Sequence, residues 1–219
     1  MCFTGLIAKW SMAKIFDIHP QNPQRRMIQQ AVAMLREGGL MVYPTDSSYA
    51  FGWMMGNKQA AERVIRIRGI EGNHDFSLVC RDLSELATYA KVDNTAYRLL
   101  RAHTPGPYTF IFNATKDVPR RLQDSKRRGI GLRVPDHPVV AALLDALGEP
   151  ILSATTILPG DEEPISEEDE IQTRLDRQVD LILVCGAGGM DLTSVVDLTG
   201  DLPKVIRHGL GDCSAFEVH

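Results

Sequence analysis

Apolar residues recur at three- and four-residue steps through Met27, Ile28, Ala31, Met34 and Leu35, which predicts a helix over residues 23–37. Asn22 suits its N-cap, Pro23 its first position, and Gly38-Gly39 its stop. Asn57 is placed to cap a second helix, in which Ala61, Val64, Ile65 and Arg68 keep helical spacing. Asp93 opens a third that reaches about residue 102. Residues 138–147 form an apolar helix closed by Gly148, and Ser166 with Asp169 and Glu170 opens an acidic one running to about residue 178. Short apolar runs between turn formers predict strands at 40–43, 76–80, 108–113, 130–134, 151–154, 179–184, 194–198 and 204–207. The elements are mixed without strict alternation, and the last strands follow one another closely. That pattern predicts one α/β domain, a mixed parallel and antiparallel sheet with flanking helices.

Composition narrows the class. The 219 residues are 44% hydrophobic and 24% charged, as in ordinary globular chains. No apolar run is long enough to span a membrane, and the first ten residues lack a basic start and a small-residue cleavage site, so a cytoplasmic protein is expected. Met12 is a second candidate start, which would leave residues 1–11 as a flexible N-terminal extension of a single domain over 12–219. The net charge of −4 excludes a surface that coats nucleic acid everywhere. Between Lys116 and Arg133, however, seven basic residues face two acidic ones. This stretch reads as a solvated face or as an anion or RNA site. Cys2, Cys80, Cys185 and Cys213 are scattered, which fits neither a disulfide scaffold nor a zinc site. Cys80 and Cys185 follow apolar runs and are expected in the core. The six histidines are dispersed and give no metal motif.

The two commonest nucleotide loops are absent, and Gly186, Gly188 and Gly189 read as a turn. Chemistry gathers instead at strand ends. Tyr43-Pro44-Thr45-Asp46-Ser47-Ser48-Tyr49 offers hydroxyls and a carboxylate directly after a strand, as a ligand site or as a capped turn. Arg66 and Arg68 close the second helix, where both could fan around one anion or simply favour the helix terminus. The rigid Pro105-Gly106-Pro107 turn delivers Thr109 to the start of a strand. Arg133, Ser153, Thr155, Thr193, Ser194 and Arg207 all stand at strand boundaries.

In this order the strings resemble the YrdC/Sua5/YciO family over nearly the whole chain. The family's Y-P-T-E-T-x-Y-G-x-G stands as residues 43–52, its P-G-P-x-T as 105–109, its R-V-P as 133–135, its S-T-V as 193–195 and its R-x-G as 207–209. The resemblance implies a twisted, mixed α/β sheet around a large concave cavity (YrdC/RibB-like). It implies an activity related to threonylcarbamoyl-AMP synthesis from threonine, bicarbonate and ATP with Mg²⁺, feeding the t6A modification of tRNA. Carried over, Arg66, Arg68, His74, Thr109, Ser153, Thr155 and Arg207 would bind nucleotide or phosphate, and Thr45, Ser47, Arg133, Thr193 and Ser194 the amino acid. Other members bind double-stranded RNA or tRNA, for which Lys126, Arg127 and Arg128 are candidates. The sequence departs from the synthase pattern. Arg66 replaces a lysine, His74 falls near another lysine's place, and the S-A-N string is Thr155-Thr156-Ile157, as in the YciO branch. Two readings follow: a nucleotide or acyl-adenylate protein that forms or hydrolyses threonylcarbamoyl-AMP, or a non-catalytic RNA-binding module with a degenerate synthase site.

Overall fold

A computed structural model describes residues 12–70, 76–122 and 129–217. The N-terminal extension, His74 and Lys126–Arg128 lie outside the described residues. Ten strands form one open sheet: β1 (Lys14–Asp17), β2 (Met41–Tyr43), β3 (Ala50–Met54), β4 (Ser77–Val79), β5 (Tyr108–Asn113), β6 (Gly129–Arg133), β7 (Ile151–Thr155), β8 (Leu181–Val184), β9 (Ser194–Asp197) and β10 (Lys204–Arg207). Their spatial order is β1-β8-β2-β3-β7-β4-β6-β5-β9-β10. Pairs β1/β8, β8/β2, β4/β6 and β5/β9 are parallel. The other five are antiparallel, so the sheet is mixed as expected.

Among the described residues six α-helices pack on it: α1 (Arg25–Arg36), α2 (Lys58–Arg68), α3 (Leu83–Tyr89), α4 (Asn94–His103), α5 (Pro138–Leu147) and α6 (Glu168–Leu175). Alternation along each strand sends side chains to two faces. On one face Val42, Phe51, Leu78, Phe110, Leu132 and Leu152 pack with Val64, Leu86, Leu100 and Ile171 of α2, α3, α4 and α6. On the other, Met41, Tyr43, Val79, Ile151 and Leu183 pack against Ile28 and Leu35 of α1 and Val140, Leu143 and Leu144 of α5. Two helices cannot cover ten strands. They cover the β1-to-β3 half with the near ends of β4 and β7, and the remainder of that face is the floor of the cavity described below.

The caps act as their chemistry dictates. Asn57 Oδ1 accepts from Ala60 N at 3.0 Å and Asp93 Oδ1 from Ala96 N at 2.7 Å. Gly148 closes α5 at φ 74°, where a side chain would be strained. Several boundaries differ from expectation. Helix α1 starts at Arg25, not residue 23, because Asn22 is held in a turn by His19 Nδ1, which accepts its N–H at 3.1 Å. Helix α6 starts at Glu168 rather than near Ser166, whose carbonyl instead accepts Gly188 N at 2.8 Å. Strands β1 and β3 and helix α3 were not predicted. The seven residues of α3 are too few for periodicity to register, although Asp82 caps it by accepting from Glu85 N at 2.9 Å. Cys80 is buried as expected. Cys185 is only half-buried, at the end of β8 with its Sγ 3.8 Å from His137 Nε2.

Candidate functional site

Strand β6 explains why the uncovered half of the sheet is hollow. Its sequence is Gly-Ile-Gly-Leu-Arg. Ile130 and Leu132 are buried in the core, so Gly129, Gly131 and Arg133 alternate onto the other face. Two of those three positions carry no side chain. A Cβ on Gly131 would sit 3.1 Å from Ser77 Oγ and 3.2 Å from Thr109 Cγ2. With small Ser77 and Ser153 on neighbouring strands, the floor sinks into a cavity of about 590 Å³, the size of nucleotide and cofactor sites.

Arg68, Arg133 and Arg207 line this cavity together with Ser77, Thr109, Ser153 and Thr155, and no carboxylate does so among the described residues. Arg133 is buried and held from behind: its Nη2 donates to Asp46 Oδ1 at 2.8 Å and to Ser47 Oγ at 3.2 Å. Its Nε is buried without a partner, and so is that of Arg68. Burial holds the Arg68 guanidinium below the usual arginine range. Arg207 is on the rim, where desolvation and then the charge of Arg133 lower it similarly. Its Nε donates to Thr193 O at 3.0 Å and its Nη2 to Thr193 Oγ1 at 3.1 Å. Thr193 and Thr109 pair through their hydroxyls at 2.9 Å. Tyr43 donates to Ser153 Oγ at 2.9 Å, and burial pushes its phenol up to about 12, so it stays protonated and fixes that serine. Guanidinium groups stripped of water and gathered at one cavity favour a bound anion.

The residues singled out in the sequence separate under this geometry. Arg68, Thr109, Arg133, Ser153, Thr155 and Arg207 share the cavity. Thr193 supports its wall, and Ser47 backs Arg133. Thr45 is closed within its own turn, accepting from Ser47 N and Ser48 N at 3.2 Å each and donating to Ser48 O at 2.6 Å. Ser194 is occupied too: its hydroxyl donates to Gly211 O at 2.5 Å and accepts from Gly209 N at 3.0 Å, pinning the C-terminal segment. The expectation that Arg66 and Arg68 surround one anion fails. Residues two positions apart on a helix are turned roughly 200° from one another, and Arg66 lines a separate groove with Arg63, Ile67, Arg177 and Gln178. Of the Thr155-Thr156-Ile157 string only Thr155 reaches the cavity, since the buried Thr156 hydroxyl donates to Tyr49 O at 2.9 Å. Ser77, Gly129 and Gly131 were not foreseen, though the Gly-x-Gly-x-Arg alternation of β6 carries the signal. Among the described residues no three His, Cys, Asp or Glu side chains converge as metal ligands, and no helix is long and apolar enough to cross a membrane.

An open mixed sheet with an arginine-lined hollow on one face defines a YrdC-like α/β protein. The chain belongs to the Sua5/YciO/YrdC family, described as telomere recombination, which matches residues 33–209. It is 54% identical to the uncharacterized protein YciO of Escherichia coli (strain K12) over 205 residues, spanning 94% of this chain and all of that one. The crystal structure of E. coli YciO superposes with a TM-score of 0.91 over the same shares. A threonylcarbamoyl-AMP synthase of Vibrio vulnificus is 30% identical over 159 residues, 71% of this chain and 84% of the relative. The Sua5 of P. abyssi, crystallised with L-threonine, shares the fold with a TM-score of 0.80 at 23% identity, over 89% of this chain and 57% of that one.

Proposed function

We propose that the cavity binds an adenine nucleotide or acyl-adenylate, in an activity related to that of the threonylcarbamoyl-AMP synthase relatives. One observation carries this reading. Arg68, Arg133 and Arg207 line one cavity to which no carboxylate contributes among the described residues, on a floor emptied of side chains by Gly129 and Gly131. A phosphate chain would balance that concentration of positive charge. Arg68 and Arg207 would hold phosphates, with the hydroxyls of Ser77 and Thr155 beside them. The amino-acid portion would lie toward Arg133 and Thr109. Adenylation of an acyl group places extra charge on the α-phosphate as pyrophosphate leaves, and fixed guanidinium groups stabilise that charge without reorganising. The described residues offer no carboxylate cluster for Mg²⁺, so the ion would arrive on the nucleotide.

Isothermal titration with ATP–Mg²⁺, with and without L-threonine and bicarbonate, tests the reading. Micromolar binding that tightens with threonine is expected, with a shallow salt dependence because the site is walled. Absence of heat under conditions where a family synthase binds overturns it.

A further inference from the structure

Asp46 is, among the described residues, the carboxylate that touches the arginine set of the cavity, yet it is not among the cavity's lining residues. Its Oδ1 accepts from Arg133 Nη2 at 2.8 Å, and its Oδ2 accepts from Asp136 N at 3.0 Å. The Arg133 and Asp46 side chains are 7% and 6% exposed, so water screens this pair poorly. The Asp46 side chain therefore does two things. It fixes one edge of the Arg133 guanidinium, whose Nη2 it shares with the Ser47 hydroxyl. It also cancels one of three positive charges, so that Arg68, Arg133 and Arg207 together present a net charge of +2.

Resting on the reading of the cavity as an anion site, we propose that Asp46 is a specificity-determining residue: it holds Arg133 in place and caps the cavity's charge, favouring a ligand with a zwitterionic portion over a bare polyanion. Removing its charge loosens the hold on Arg133, which keeps the Ser47 hydroxyl, and raises the three arginines to +3. The two ligand classes then respond in opposite directions, which a merely structural tie would not produce.

The test titrates inorganic tripolyphosphate, and separately L-threonine in the presence of ATP–Mg²⁺, into the wild type, Asp46→Asn and Asp46→Glu. One added charge at the range of a bound phosphate chain is expected to tighten tripolyphosphate on the order of fivefold in Asp46→Asn. Threonine is expected to weaken at least as much, because Arg133 then keeps only the longer bond to Ser47 Oγ and is held less firmly. Asp46→Glu keeps the charge and is expected to keep the wild-type ratio of the two affinities. Should Asp46→Asn fail to fold, Asp46→Ser carries the same comparison, since its hydroxyl can still accept the Asp136 N–H. Tripolyphosphate affinity that is unchanged or weaker in a folded, charge-removed variant overturns the proposal. So does an Asp46→Glu variant that behaves like Asp46→Asn, or a wild type that ignores tripolyphosphate. A wild type that binds tripolyphosphate but not ATP, with the Asp46→Asn gain intact, refutes the nucleotide reading and leaves the role of Asp46 standing.

Discussion

Arg68→Met separates binding from stability more sharply than any other change in this cavity. The arginine closes α2, is half-buried, and finds no acceptor for its Nε among the described residues. Methionine keeps the apolar stem and removes the charge. A guanidinium–phosphate contact contributes about 1.5–3 kcal/mol, so nucleotide affinity should fall roughly 10- to 150-fold. Folding should gain, because an unpartnered buried donor disappears and nothing that it held is left behind. We expect a stability change between zero and about +1 kcal/mol, or a Tm rise of up to about 4 °C. Titration calorimetry with ATP–Mg²⁺ reads the first quantity and thermal unfolding the second. Arg66→Ala is the control, expected to bind as the wild type because Arg66 faces a different groove. An Arg68→Met protein that binds normally, or that loses more than about 1 kcal/mol of stability, would show that Arg68 is a structural residue with a partner of its own.

Three further outcomes follow from particular contacts. Gly131→Val should fold as a strand residue yet fail to bind nucleotide, since its branched carbons would rise from the floor between Ser77 and Thr109; calorimetry beside a native circular-dichroism spectrum checks this. Ser194→Ala should leave Gly209 N and Gly211 O without their partner and lower stability by about 1–3 kcal/mol, with nucleotide affinity unchanged; a lost affinity at unchanged Tm would instead make Ser194 a ligand. Burial lowers the pKa of His137, whose Nδ1 accepts Val139 N at 3.3 Å and so caps α5 while neutral. The unfolded chain then binds the proton more readily, so this stability is complete above the ordinary histidine pKa and is lost as pH falls through the lowered folded value. A Tm profile that declines on acidification in the wild type, and less so in His137→Asn, is the expected result; identical profiles would refute it.

Local physics made much of this molecule readable. Asn57 and Asp93 announce their helices because a short polar side chain satisfies a free N–H within three residues, and Pro138 with Gly148 brackets α5. Strand β5 could be bounded at Tyr108–Asn113 because a rigid Pro-Gly-Pro turn precedes it. Strand β3 escaped because it lies inside the sheet between β2 and β7 and shows no alternation of polar and apolar residues. The cavity residues Thr109, Arg133, Ser153, Thr155 and Arg207 were legible as polar groups at strand boundaries, but a boundary does not say which way a side chain turns. Thr45 and Ser194 carry the same hydroxyl chemistry and are consumed by neighbouring backbone.

The sequence by itself determined most of the elements, their mixture and the family, because caps, periodicity and turn residues act over a few positions. Only the tertiary structure decided that α1 and α5 cover half of one sheet face and, among the described residues, leave the other half without a covering helix. Only that arrangement turns the two glycines of β6 into a cavity floor. Arg68 and Arg207 come from segments 139 positions apart, and Arg66, two residues from Arg68, faces elsewhere. Charge and burial belong to a place in space, and a place shared by six strands is not written in any one stretch of the chain.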